Sequence, residues 1–156
     1  SDKMHKQLHP DEIFKIFKEN YINLDSPVCV NEIHFVQRNG IEASVTMKYN
    51  GKNAVVNDVG NGRLDAVSNA IISYVGRKYT IETYTEHALE IGSTSKAVSY
   101  VAISDGSKAL YWGTGIDTDI FTSSAKALVS AVNIMLKSEN YKQKSTKSDV
   151  ENSNIM

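Results

Sequence analysis

A single cysteine, Cys29, rules out any disulfide within the chain and favours a reducing, cytoplasmic setting. No apolar run approaches the ~18–20 residues of a membrane span, and the N-terminus is too polar for a signal peptide. The formal net charge is −1, which provides no electrostatic footprint for nucleic acid. Lysines do gather near the C-terminus (Lys137, Lys142, Lys144, Lys147), but Glu139, Asp149 and Glu151 dilute them. No His-x-His pair, Cys-x-x-Cys or Gly-x-Ser-x-Gly is present, so neither a transition-metal site nor a serine-nucleophile elbow is expected. With 156 residues, 41% hydrophobic and 22% charged, one soluble domain with a sizeable core is expected. The opening Ser1-Asp2, without Met, suggests a piece of something longer.

What the chain does contain is one unit twice. Asn69-Ala70-Ile71-Ile72-Ser73-Tyr74-Val75 reappears 57 residues further on as Lys126-Ala127-Leu128-Val129-Ser130-Ala131-Val132. Ahead of each copy stands a Gly-x-Gly, Gly60-Asn61-Gly62 and then Gly113-Thr114-Gly115. Ahead of each of those is a hairpin signal, Asn50-Gly51 and then Asp105-Gly106. Short apolar matches arise by chance, so the order of these signals carries more weight than the identities.

Leu8 to about Ile22 reads as a helix, with Pro10 suited to its first turn and Ile13, Phe14, Ile16, Phe17 and Tyr21 on one face. After Pro27, strand signals begin. Ile41, Ala43, Val45, Met47 and Tyr49 alternate with Glu42, Ser44, Thr46 and Lys48, the period of a half-buried strand. A second strand runs to Val59, then a helix opens with Leu64, Val67, Ile71, Tyr74 and Val75 inward and Gly76 placed to stop it. In the second unit Tyr79–His87 and Lys96–Ser104 read as strands and Ala109–Gly113 as a short one. From about Asp119 to Lys137 a helix carries Phe121, Ala125, Leu128, Val129, Val132, Met135 and Leu136 on one face. Beyond Ser138 the chain is polar and aperiodic, and disorder is expected there. The expected fold is α+β: internally duplicated β-β-β-α units with antiparallel sheets, helices on one side, related by a pseudo-two-fold. The expected organisation is a connector segment (1–26), a ligand-binding domain (27–137) and a tail (138–156).

Glycines just ahead of a helix leave backbone N–H groups free to receive an anion such as a carboxylate. They also serve simply to permit a tight strand-to-helix turn, since neither pair completes a phosphate-binding pattern. Asp65 could cap its helix or meet a ligand amine. Tyr84-Thr85-Glu86-His87-Ala88 ends a strand with polar and aromatic residues, either a solvated Glu–His edge or part of a site. Gly92-Ser93-Thr94-Ser95 follows as a loop.

Gly60-Asn61-Gly62-Arg63-Leu64-Asp65-Ala66, Tyr84-Thr85-Glu86-His87-Ala88, Trp112-Gly113-Thr114-Gly115-Ile116-Asp117-Thr118-Asp119-Ile120 and Ala125–Asn133 together resemble the C-terminal regulatory domain of 2-isopropylmalate synthases. The resemblance implies a duplicated β-β-β-α domain that forms a homodimer and binds leucine, the end product of the pathway, near the dimer interface for feedback inhibition. By motif, Gly60, Gly62, Leu64 and Asp65 would lie on the first ligand loop. Tyr84, Ala88, Ser95 and Ala97 would line the opposite wall, and Ile116 and Ile120 would add apolar surface. The chain departs from the family's pattern at Arg63, where Pro is common. The resemblance further implies that condensation of acetyl-CoA with 2-oxoisovalerate, and the divalent metal it uses, belong to a catalytic barrel outside this chain. No cofactor and no catalytic residue are then expected here. Two alternatives stay open: the isoleucine-sensing domain of a citramalate synthase, and a dimerisation module without effector.

Overall fold

The computed structural model describes residues 22–91 and 94–154. The expected helix from Leu8 thus falls, except for Ile22, outside the described residues. Strands β1 (Val28–Arg38), β2 (Gly40–Tyr49) and β3 (Lys52–Gly60) lead into helix α1 (Arg63–Val75). Strands β4 (Thr80–Ile91), β5 (Thr94–Ser104) and β6 (Leu110–Asp117) then lead into α2 (Ile120–Asn154). The strands form two antiparallel sheets, ordered β1-β2-β3 and β4-β5-β6. This is the duplicated α+β architecture that the repeat anticipates.

The period-two pattern in β2 does what it predicts. Ala43, Val45 and Met47 are fully buried, and their cross-strand neighbours Ile33 and Val56 pack on the same core. Asn50 and Gly51 both take positive φ, +50° and +82°, the geometry of a type I′ hairpin. Helix α1 buries Val67 and Ile71 and stops at Gly76, whose φ of +76° lets its N–H reach the Ile72 carbonyl at 2.9 Å. Along α2 the apolar face is buried as the periodicity requires, from Ala125 to Leu136, with Phe121 half-buried. The helix continues past Lys137 to Asn154, and Glu139 pairs with Arg77 beside the end of α1.

One local expectation changes. Gly113 and Gly115 do not form a turn ahead of α2; they lie inside β6, which runs on to Asp117. A Cβ on Gly113 would come within 2.1 Å of the Ala127 carbonyl oxygen, and one on Gly115 within 2.0 Å of that of Ser123. These glycines let α2 lie directly on its sheet. Gly60 plays a comparable part at the end of β3, where a Cβ would meet the Ala66 nitrogen at 2.4 Å.

The two units therefore correspond through structure rather than through their glycines. Each first strand carries a bulge, between Val30 and Glu32 in β1 and between Ile81 and Thr83 in β4. Aligning the bulges places Ile33 with Tyr84 and Phe35 with Glu86, while aligning the helix starts places Gly62 with Asp119. Both units share one core, in which Met47, Ile71, Ile103, Leu128 and Met135 are all fully buried. Asn133 of α2, itself fully buried, ties in the chain that enters β1. Its Oδ1 accepts the Val28 N–H at 2.8 Å, and its Nδ2 donates to the carbonyls of Val28 and Leu24 at 2.9 and 3.0 Å.

Candidate functional site

The first loop is built by the end of β3 and the start of α1. Gly62 is the N-cap residue, with extended backbone and no side-chain hydrogen bond capping the helix. Without a side-chain cap, the N–H groups of the first turn keep donor capacity at the positive end of the helix dipole. Asp65 turns back, its Oδ2 accepting the Asn61 N–H at 2.9 Å, so one carboxylate oxygen holds the loop in shape. Leu64 is half-buried against the core beside it.

The residues expected for the second wall, Tyr84, Ala88, Ser95 and Ala97, belong to strands β4 and β5 of the second sheet. Pairing of Tyr84 with Val101, Glu86 with Ser99 and Ala88 with Ala97 puts these residues on one face. Ala97 is buried, with Asp117 as its other neighbour, whereas Tyr84 is 55% exposed and Ala88 and Ser95 are also exposed. Every residue from Glu82 to Ala88 is exposed. Strand β4 is an edge strand that α2 reaches only at its margin. Among the described residues, no hydrogen bond or ring contact joins Tyr84 or Ala88 to the 60–65 loop.

Ile116, expected to add apolar surface to the site, is half-buried beside Val98 on the face of the sheet opposite Ala88 and Ala97, because strand neighbours alternate, and Ile120 opens α2 at 58% exposure. The start of α2 differs from that of α1. Asp119 caps it, Oδ2 accepting the Thr122 N–H at 2.8 Å and its hydroxyl at 2.7 Å. The Thr122 hydroxyl foremost, then its N–H, holds the Asp119 carboxyl below its ordinary range. Neighbouring Asp117 is likewise held low, chiefly by Lys126, whose Nζ lies 2.8 Å away. Arg63, in the first turn of α1, brings the two helix starts together. Its guanidinium lies 5.3 Å from the Phe35 ring centre and 5.9 Å from that of Phe121, and those rings meet edge to face.

Sequence reasoning overlooked Arg63 as a bridge, because Phe35 and Phe121 are remote from it in the chain. It also treated Glu86 and His87 as one pair. Neighbouring strand residues point to opposite faces, and the structure separates them: His87 lies against the Tyr100 ring, while Glu86 accepts the Ser124 hydroxyl at 2.7 Å. Ser124 and Ser123 both hydrogen-bond the buried Ser99, fixing Glu86 to the start of α2. The alternation Tyr84, Glu86, Ala88 is the signal that would have placed Glu86 on this wall. No group of three His, Cys, Asp or Glu side chains able to hold a metal occurs among the described residues. His5 and His9, four apart in sequence, lie outside them. No helix among the described residues is long and apolar enough to cross a membrane.

Two β-β-β-α units on one core, with their helix starts clasped together by Arg63, define an internally duplicated α+β domain with paired helix-start loops. The chain belongs to the LeuA allosteric (dimerisation) domain family, which it matches over residues 7–136. It is similar to the 2-isopropylmalate synthase of Desulfitobacterium hafniense, with 45% identity over 137 residues, covering 88% of this chain and 25% of that protein. The 2-isopropylmalate synthase of Helicobacter hepaticus is 40% identical over 145 residues, covering 85% of this chain and 25% of that protein. That of Saccharomyces cerevisiae is 29% identical over 148 residues, covering 88% and 24%. The chain thus spans about a quarter of the length of these relatives.

Proposed function

We propose that this chain is the regulatory and dimerisation part of a 2-isopropylmalate synthase, that it binds leucine as a feedback inhibitor, and that it performs no turnover itself. The observation that carries the binding reading is the contrast between the two helix starts. Asp119 supplies α2 with a carboxylate cap, while α1 begins at Gly62 without one. A bound carboxylate at α1 would complete the helix as Asp119 completes α2. Leucine needs such an anion seat, an acceptor for its ammonium, and an apolar pocket for its side chain, because each charged atom taken from water must find a partner. The second oxygen of Asp65 and the carboxylate of Glu86 are the acidic groups for the ammonium. Leu64 and Ala88 provide the apolar surface.

A second copy fits the same reading. Strand β4 carries the opposite wall, and its stretch from Glu82 to Ala88 is exposed throughout, whereas Ile33 and Phe35 of β1 are half-buried beside α2. Seating a partner against β4 would enclose the ligand between copies and relieve an exposed sheet edge. Effector binding and dimer packing would then be linked reciprocally, typically by ~1–3 kcal/mol. The isoleucine-sensing version differs by the position of one methyl group, a distinction typically of ~1–3 kcal/mol.

Thermal unfolding with leucine, isoleucine or valine tests the reading. At 100 times its dissociation constant a ligand stabilises by ~2.7 kcal/mol, which is about 5–10 °C for a domain of this size. A rise with leucine alone is expected. A rise with isoleucine alone would move the chain to the citramalate-type sensor, and no rise with any of the three would leave a dimerisation module.

A further inference from the structure

Between β1 and the first half of α2 lies a cavity of about 520 Å³, within the ~300–1,000 Å³ of small-molecule pockets. Its apolar walls are Ile33 and Phe35 on one side and Phe121, Ala125 and Val129 on the other. The pseudo-two-fold explains its place. Ile33 corresponds to Tyr84, Phe121 to Leu64 and Thr122 to Asp65, so the cavity is the first unit's counterpart of the proposed leucine site. Here α2 lies beside the strand and forms with it, within one copy, a cleft open to solvent on one side, whereas every residue of the equivalent stretch of β4 is exposed.

The chemistry of the two counterparts differs at the polar end. Where Gly62 leaves the start of α1 uncapped, Asp119 fills the start of α2 with the protein's own carboxylate. The cation lining this cavity, Lys126, is already held by Asp117 at 2.8 Å. Two carboxylates also line it. Asp25 makes no hydrogen bond or ion pair with any described residue, and Glu32 meets only the exposed His34, at 2.9 Å. An amino acid's carboxylate would find its seat occupied and two like charges nearby. An amine would find acceptors, with a branched aliphatic body matching the walls.

We infer that this cavity is a second small-molecule site, specific for a short branched aliphatic amine that lacks a carboxylate. Only the comparison of anion seats rests on the leucine reading; the cavity, its walls and its acidic lining stand without it. Arg63 connects the site to the first, since its guanidinium lies over Phe35 and Phe121 while its backbone forms the first turn of α1.

The test is an NMR titration of the 156-residue chain with 3-methylbutylamine and, separately, with leucine. Saturable shifts at Ile33, Phe121 and Val129 with the amine, but not with leucine, are expected. The exposed variant D25N combined with E32Q should weaken the amine by about two- to fivefold for each lost charge and leave any leucine response unchanged. Ala125→Phe, which fills the cavity, should abolish the amine response; if it does not fold, the charge variants decide. No saturable shift with the amine, or shifts confined to Gly62–Asp65 and β4, would overturn the inference. Amine binding in the cavity without any leucine response would instead sink the leucine reading and leave this one standing.

Discussion

Single atoms set the fit between α2 and its surroundings. Adding one methyl at Gly113 drives a Cβ into the backbone of α2 at Ala127 and Ala131, which cannot move as a flexible side chain would. Gly113→Ala should therefore cost about 1–3 kcal/mol or more in urea unfolding. Asn133 illustrates the complementary case, a buried amide whose hydrogen bonds all serve the chain entering β1. Asn133→Ala leaves the Val28 N–H without that acceptor and should cost about 2–3 kcal/mol by the same measurement. Asp117 connects residue chemistry to pH. Its folded value lies below the ordinary 3.8, chiefly because of Lys126, so its contribution is fully present above 3.8 and is lost as pH falls through the lowered value. Melting temperatures recorded from about pH 6 down to about pH 2 should fall less steeply at the acid end for Asp117→Asn than for the parent chain.

Elements differ in how completely they are finished. Helix α2 has a capped start, a long buried face and glycines beneath it. Helix α1 has a positive-φ stop at Gly76 but an open start. Gly62 is extended, with nothing within 4 Å of an added Cβ, so Gly62→Asp can be accommodated. The new cap should stabilise α1 by a few tenths of a kcal/mol while occupying the seat proposed for leucine. The expected result is an unfolding temperature at least as high as the parent's without ligand, and loss of the leucine-induced rise. A full leucine response in this variant would show that the carboxylate binds elsewhere. Strand β4 is the unfinished element of the second sheet, its exposed residues facing both ways.

The whole molecule has one core but two unequal clefts: the first is walled on both sides within the chain by β1 and α2, and the second lies open along β4. Dimer formation through β4 would make the open cleft a shared one. Tyr84→Lys should then shift the chain toward monomer in sedimentation equilibrium and weaken leucine binding in the same variant, because one residue serves both purposes. A dimer unaffected by the substitution, with leucine binding also intact, would place the interface and the pocket away from β4.

The repeat, the type I′ hairpin at Asn50-Gly51, the buried faces of both helices and the stop at Gly76 were all legible in the sequence. Each depends on neighbours within a few positions, where periodicity and backbone preference act directly. The motifs also led to the right family, with several short segments in the right order. What the sequence could not reveal was which residues meet across the fold. Whether a Gly-x-Gly makes a turn or a smooth surface for a helix depends on what packs on it, and Gly113 and Gly115 belong to the second kind. The clasp of Arg63 on Phe35 and Phe121, the parting of Glu86 from His87, and the carboxylate at one helix start but not the other emerge only when the two units close on one core. Local chemistry specified the parts of this protein; packing between distant segments decided which cleft has both walls within the chain and which has one.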